Sequence, residues 1–318
     1  MHPGYRGHEY RVIMGDFAIL IPYFNPVGYQ SHPRKLFAAL GAFHEAGLAD
    51  DVFLVGAGAS RPSWPNVLFW DDECAFLWHK ERLLNIGARV LPDSYTHVVW
   101  ADSDIIVGPD WASAVRAAFK RAAIVQCFSS AVYLTETGVR ALPRPSALCP
   151  GAGGLLGGCW GAERSLFSSG PGLFEMALVG GADGILACEL PDESPLPSAP
   201  WLADLPPVLA GSWSDQLLTE LDQWRASVRH WLAGKRAVAA EAAVEILLHG
   251  PFLDRQYNDR QSLLAGADPS RHLVREPDRV FRWSAEGLAD VEPGVRAYFC
   301  QRHEDEAPPR TREDVACP

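Results

Sequence analysis

The sequence predicts an α/β protein built on a mostly parallel sheet. Short apolar runs alternate with segments of helical periodicity from residue 17 onward, the order that βαβ units produce. Hydrophobic residues make up 48% of the 318 and charged residues 21%, a globular balance that excludes a wholly disordered or collagen-like chain. The segment HVVWADSDIIV (97–107) runs apolar residues straight into an acidic turn, as buried parallel strands do where a sheet opens to a ligand.

The elements follow in order. FAILIPY (17–23) reads as the first strand, and the loop FNPVGYQ leads to Ser31 and Pro33, a cap and first-turn pair. Leu36, Phe37, Leu40 and Phe43 then recur at helical spacing up to Gly47. DVFLVGAG (51–58) and VLFW (67–70) give two further strands, and a helix is expected over about 75–87. After the strand at 97–107 come the helix WASAVRAAFK (111–120) and the strand AAIVQCFSSAVYL (122–134). Composition changes at Pro143: residues 143–172 are rich in Pro and Gly, which lets backbone approach a ligand or another strand closely. The proline-rich stretch 191–211 is expected to lack regular structure. Leu217, Leu218, Leu221, Trp224, Val228, Trp231 and Leu232 mark an amphipathic helix over 214–232. The polar tail from about 303 reads as disordered, and no internal repeat is found.

Charge and cysteine usage narrow the class. With 28 Lys+Arg against 39 Asp+Glu the net charge is −11, which excludes a bulk nucleic-acid binder while leaving room for a local basic groove. Only four of the basic residues are lysines, so most positive groups are guanidinium forks suited to phosphate. The longest apolar run, residues 17–24, has eight residues and includes Pro22, far short of the ~20 that span a bilayer. The N-terminus lacks the apolar core of a signal peptide. Seven scattered cysteines with no CxxC pair predict reduced thiols and a cytoplasmic protein.

The sharpest chemical signal is Asp102-Ser103-Asp104, directly after Trp100-Ala101. Two carboxylates one residue apart at a strand end can share a hard divalent cation and leave positions open for phosphate oxygens. The plain alternative is a turn whose aspartates cap loops. Around this motif the chain carries IPYFNP (21–26), WHKERLLNIGARVLP (78–92), VVWADSDIIVGPDW (99–111), GGLLGGCWGAERSLF (153–167), GGADGIL (180–186) and LLHGPFLDRQYNDR (248–260). In this order the motifs resemble the nucleotide-sugar-dependent glycosyltransferases of GT-A fold over about residues 17–283.

The resemblance implies a Rossmann-like nucleotide-binding half and an acceptor half, with helices on both faces of the sheet. It gives one domain over 1–303, divided into a nucleotide-sugar half (about 17–142) and an acceptor half (about 143–303), with 304–318 as the tail. Asp102 and Asp104 match the metal-binding D-x-D, His249 a histidine that completes the site, and the metal would be Mn2+ or Mg2+. Pro22, Tyr23, Phe24 and Asn25 match the segment along base and ribose. Lys80, Arg82 and Asn85 match the helix beside the nucleotide, and Ala101 and Ser103 flank the motif. The second strand ends Val55-Gly56-Ala57-Gly58, without the acidic residue that relatives often carry there to read ribose or uracil. The donor implied is nonetheless a UDP-linked sugar.

An imidazole beside two carboxylates suits manganese better than calcium, although His249 reads equally as a backbone-bonded loop histidine. Arg255 and Arg260 could fork onto a diphosphate; their alternative is ion pairing with Asp254 and Asp259. Asp183 matches the acidic residue of inverting relatives that takes the proton from the attacking hydroxyl, and equally suits an N-cap. Glu163 is a weaker candidate. Gly158, Trp160 and Asp215 fall on the acceptor side, Trp160 either as a stacking platform or as core.

The acceptor implied is a saccharide hydroxyl. A hydroxymethylpyrimidine in DNA is the alternative, on the strength of basic clusters at 34–35, 225–236 and 255–282. Two rival classes are a nucleotidylyltransferase, which would carry a glycine-rich basic loop after the first strand, and a non-catalytic nucleotide-sugar-binding module.

Overall fold

A computed structural model describes residues 16–71, 75–135, 140–141, 143–149, 154–190, 200–257 and 259–306. In chain order the first half runs β1 (Phe17–Phe24), α1 (Ser31–Glu45), β2 (Val52–Gly58), β3 (Val67–Asp71), α2 (Lys80–Val90), β4 (His97–Ala101), β5 (Ile105–Val107), α3 (Trp111–Phe119), β6 (Ile124–Gln126) and β7 (Ser130–Leu134). The second half adds β8 (Arg144–Pro145), β9 (Cys159–Glu163), α4 (Ser165–Ser168), α5 (Ala182–Ala187), α6 (Pro200–Ser212), α7 (Asp215–Leu232), β10 (Ala237–Ala239) and β11 (Ala243–Leu247). It ends with α8 (Pro269–His272), β12 (Leu273–Val274), β13 (Arg282–Trp283), α9 (Ala285–Asp290) and α10 (Glu292–Gln301).

The main sheet has seven strands in the order β10-β6-β9-β4-β1-β2-β3. Every pairing in it is parallel except those of β9, which is antiparallel to both β4 and β6. The fold is therefore α/β with a mostly parallel sheet, and β9 of the second half lies between two strands of the first.

Alternation along β1 sorts the helices. Ala18 and Leu20 pack with Leu83, Leu84 and Ala88 of α2 and with α5 and α7, whereas Phe17, Ile19 and Ile21 pack with Leu36, Leu40 and Phe43 of α1 and Trp111 and Val115 of α3. A period of two thus gives the sheet two buried faces with helices on each. In β4, Val98 and Trp100 face the α2 side, and Val99 and Ala101 the α1 side.

A second sheet, β5-β11-β7-β8, corrects two expectations. The apolar runs 97–107 and 122–134 are each two strands, because the chain leaves the main sheet between them and enters the small one. The first break falls on Asp102–Asp104, where Ile105 donates back to the Asp102 carbonyl at 3.3 Å.

Three further boundaries differ. α2 begins at Lys80, since Trp78 is tied by its N–H to the Leu178 carbonyl (2.9 Å). It also continues through Gly87, where a Cβ would stand 2.6 Å from Val55, so this glycine permits close helix–sheet contact and does not stop the helix. Within 191–211, residues 200–212 are helical despite Pro206 and Pro207, with Leu209 and Trp213 buried at 1% and 5% exposure anchoring the segment; 191–199 lie outside the described residues. Ser31 is the first helical residue of α1 and does not cap it.

Residues 303–306, expected in the tail, belong to the described fold. Glu304 is buried, and Asp305 accepts the N–H groups of Gln30 (2.9 Å) and Ser31 (2.7 Å), supplying from afar the cap that α1 lacks locally. Residues 307–318 lie outside the described residues. Cys127, Cys149, Cys159, Cys188 and Cys300 carry free thiols. Among the described residues no helix is long and apolar enough to cross a membrane.

Candidate functional site

The site forms where β4 ends. The register Leu20↔Trp100 brings that end beside the middle of β1, whose last residues run on toward the C-terminal edge of the sheet, the edge at which ligands bind in a parallel sheet. Alternation carries Asp102 with Trp100 to the α2 side, and the turn between β4 and β5, outside either strand, sends Asp104 to the other.

Asp102 Oδ1 lies 2.7 Å from Lys80 Nζ, and its Oδ2 accepts the Gly158 N–H at 3.1 Å. Gly158 is suited to this by its left-handed φ of 109°, which a side chain would strain. Lys80, buried at the start of α2, reaches Asp183 Oδ2 at 2.9 Å with the same ammonium. Burial works against that charge, but Asp102 and Asp183 outweigh it and hold the Lys80 ammonium protonated well above the usual lysine range. Burial raises the Asp102 carboxyl to about 6, against the pull of Lys80. Gly157 lies against both carboxylates: a Cβ there would be 4.0 Å from each Oδ2. The glycine-rich stretch therefore meets the site as backbone.

On the other face, β5 pairs antiparallel with β11 in the register Ile105↔Ile246, and the Leu247 N–H donates to the Asp104 carbonyl at 2.9 Å. Two residues past β11, His249 is thus delivered to Asp104, with Nε2 3.1 Å from Oδ2. Burial disfavours the Asp104 charge, but His249, Arg255 and Lys35 outweigh it and lower its pKa. Its Oδ1 is buried without a hydrogen-bond partner.

His249 also meets a group that sequence reading missed. Its Nδ1 lies 3.1 Å from Glu304 Oε2, off the direction of a hydrogen bond. The same carboxylate contacts His32 Nε2 and Arg302. Burial opposes its charge, and His249, Arg302 and His32 outweigh it, keeping Glu304 well below the usual carboxylate range. Nothing local marks Glu304 or His32, since one sits in a polar tail and the other on a helix far earlier in the chain. Gly250 makes the approach possible: with φ 59°, a Cβ there would meet the Arg302 carbonyl at 2.6 Å and Glu304 Cα at 3.2 Å.

The remaining expected residues divide. Asn25 organises its own turn, accepting from Gly28 and Tyr29 N–H (3.1 and 2.9 Å), while Phe24 stands edge-on to Trp78 and His79, with ring centroids 5.4 and 5.8 Å away. Pro22, Tyr23 and Ala101 are buried at the strand ends, and Ser103 is half-buried in the turn. Arg255 donates to the His249 carbonyl (3.1 Å), fastening the turn that carries the imidazole. Arg260 is buried and bonds Tyr298 at 3.0 Å.

The other expected residues have surroundings that local sequence did not indicate. Arg82 is spent on the Arg279 and Glu276 carbonyls and Glu175 (2.8, 2.7 and 3.0 Å), and Asn85 on Leu173 and Glu175, so both clamp loops away from Asp102. Trp160 is 0% exposed with its indole N–H on the Leu156 carbonyl, so it is core and offers no stacking face. Asp215 is exposed in the first turn of α7 behind the cap Ser214. Asp183 is not a cap either: Gly181 holds that position in α5, and the Asp183 carboxylate turns to Lys80.

The basic clusters behind the DNA alternative are largely neutralised within the fold. Arg225 and Arg229 pair with Glu189, Lys235 with Glu163, Arg271 with Glu286, Arg275 with Glu220, and Arg279 and Arg282 with Glu276.

No family model and no curated protein matches the chain. Among solved structures it is similar to S. aureus TarS, at 12% identity and a TM-score of 0.36, over 54% of this chain and 53% of that one. It is similar to the catalytic domain of Drosophila β1,4-galactosyltransferase 7 in complex with xylobiose, at 13% identity and a TM-score of 0.33, over 54% of this chain and 58% of that one. A third is 4-diphosphocytidyl-2C-methyl-D-erythritol synthase from Anaerococcus prevotii, at 8% identity and a TM-score of 0.29, over 47% of this chain and 72% of that one. The chain spans just over half the length of the first two. Glycosyltransferases, the class its motif order resembles, are thus among the solved structures to which the chain is similar.

Proposed function

We propose that the chain is a metal-dependent glycosyltransferase that moves a sugar from a nucleoside diphosphate, UDP by preference, to a saccharide hydroxyl with inversion. The observation that carries this reading is the buried, unpartnered Oδ1 of Asp104 beyond the end of β4, with Asp102 two residues away. A carboxylate oxygen so placed fits a hard divalent cation, Mn2+ or Mg2+. Such a cation, when bound, serves as a Lewis acid for the negative charge of the departing diphosphate.

The other groups have separate tasks. Asp102, held by Lys80 and the Gly158 N–H, fixes the turn and holds the ammonium in place, and each of its oxygens keeps a lone pair that would face the cation. Lys80 adds positive charge where negative charge develops, and its burial strengthens that effect. Asp183 is the base. It takes the proton of the acceptor hydroxyl as the oxygen bonds to the anomeric carbon, and the bond from that carbon to the diphosphate breaks with its electron pair going to the leaving oxygen. With one oxygen on Lys80, the Asp183 carboxylate is oriented and its second oxygen remains to accept the proton. Pro22, Tyr23 and Phe24 at the end of β1, with Asn25 just after it, would line the nucleoside.

Mass spectrometry after incubation with a panel of nucleotide sugars and acceptors, hydroxymethylated DNA among them, tests this. The reading expects a hexose-sized mass gain on a saccharide, release of nucleoside diphosphate, and loss of both in excess chelator. Consumption of added pyrophosphate, with release of nucleoside triphosphate and sugar 1-phosphate, would replace it with nucleotidyl transfer. Donor binding without turnover on any acceptor or on water would replace it with a binding module.

A further inference from the structure

We propose that His32, His249 and Glu304 form a second cation site, of two imidazoles and one carboxylate, that takes Zn2+ or a similar borderline cation and fastens the segment after α10 to the turn after β11. One ligand atom from each residue lies within 4.8 Å of the others. The three come from distant parts of the chain, α1, the turn after β11 and the segment after α10, so their convergence is made by the fold and not by local sequence.

The chemistry of each atom supports a cation there. His249 Nδ1 faces Glu304 Oε2 at 3.1 Å yet makes no hydrogen bond, and is buried. Its other nitrogen, Nε2, is engaged by Asp104 Oδ2 at 3.1 Å. A carboxylate behind one ring nitrogen fixes the tautomer and directs the other nitrogen to a metal, which makes Asp104 a positioning residue for this site. Glu304 Oε1 is taken by Arg302, leaving Oε2 as a single ligand oxygen. Two nitrogens and one oxygen favour zinc, manganese, iron or cobalt over magnesium and calcium, which prefer all-oxygen shells.

The surroundings are built to hold the three in place. Asp305 binds the Gln30 and Ser31 N–H groups, two residues from His32, and the Tyr29 hydroxyl donates to the carbonyls of Phe299 and Cys300 (2.8 and 3.0 Å). Gly250 leaves room for residues 302–304 to pass. The site uses the far nitrogen of His249 and none of the oxygen assigned to the donor's cation, so it stands whether or not the chain transfers sugars.

The test is direct titration of the metal-free full chain with Zn2+ against a chromophoric chelator, and with Co2+ followed by its visible absorption. Wild type is expected to bind one zinc with Co2+ showing ligand-field bands of a nitrogen-containing site. His32→Ala and Glu304→Gln should each abolish saturable binding, Asp104→Asn should weaken it about 10- to 100-fold, and Asp183→Asn should bind as wild type. Far-ultraviolet circular dichroism identifies any variant that fails to fold, in which case the wild-type Co2+ spectrum decides. No zinc or cobalt binding by wild type would mean that the histidines are only charge partners of Glu304, and would overturn the proposal. Unchanged binding in folded His32→Ala and Glu304→Gln would do the same. Sugar transfer enters none of these readouts, so failure here leaves the transferase reading standing, and the converse holds.

Discussion

Lys80 is the residue on which the α2 side of the site turns. It bridges Asp102 at 2.7 Å and Asp183 at 2.9 Å, so two carboxylates that would repel each other in a buried setting are held together by one ammonium. Asp183→Asn should keep that geometry, because an amide oxygen still accepts from Lys80. Turnover should fall by about 10²-fold or more, the scale of general-base catalysis, with the thermal midpoint close to wild type. Steady-state rates on the identified donor and acceptor check this, and a near wild-type rate would remove Asp183 from the mechanism. Glu81, the next residue, is buried with Oε2 unpartnered, and burial raises its carboxyl to about 8. The unfolded chain loses this proton near 4.5 and the folded chain only near 8, so between those values the folded state binds more protons and stability falls as pH rises. Glu81→Gln should therefore gain in stability over wild type as pH goes from 5 to 8. Denaturation midpoints at the two pH values measure the difference. A constant gap would show that Glu81 does not titrate in that window. The D-x-D and His249 were legible as residues because their chemistry sits in short motifs. The roles of Arg82 and Trp160 were not, because whether a guanidinium meets a ligand or two loop carbonyls depends on packing that no local spacing encodes.

At the scale of elements, strand alternation and helix periodicity predicted β1, β2, β3, α1, α3 and α7 with small boundary shifts. What the sequence hid was the change of sheet within 97–107 and 122–134. Each run has apolar residues on both sides of a short polar step, Asp102–Asp104 in one and Ser129–Ser130 in the other, and the partner that draws the second part away is β11, far along the chain, pairing with β5 and β7. β9 is the interior strand that joins β6 to β4 in the main sheet. A Cβ at its Gly161 would stand 2.7 Å from Phe119 Cζ and 3.0 Å from Val99 Cγ2. Gly161→Ala should overpack that contact and cost about 1–3 kcal/mol, read by chemical denaturation. The link between α1 and the segment after α10 gives a second test. Asp305→Ala removes the cap on the Gln30 and Ser31 N–H groups and should cost about 1 kcal/mol. Amide exchange at 30–32 and 302–306 should rise together; acceleration at only one of the two would contradict a shared anchor.

At the scale of the whole molecule, the sheet brings two chemically different clusters to one edge. On the α2 side an ammonium stands between two carboxylates; on the α1 side Asp104, His249 and Glu304 follow one another with His32 beside them. The three-residue turn between β4 and β5, where the chain changes sheets, joins the clusters. The account requires that this junction hold the cation on which a nucleoside diphosphate rests. A crystal of the full chain grown with UDP and Mn2+, with diffraction recorded at the manganese absorption edge, tests that claim most directly. The account predicts an anomalous peak at Asp104 Oδ1, with the diphosphate on the same peak and the nucleoside along the end of β1. A diphosphate bound at this edge with no peak beside Asp104, or bound at another part of the molecule, would contradict it.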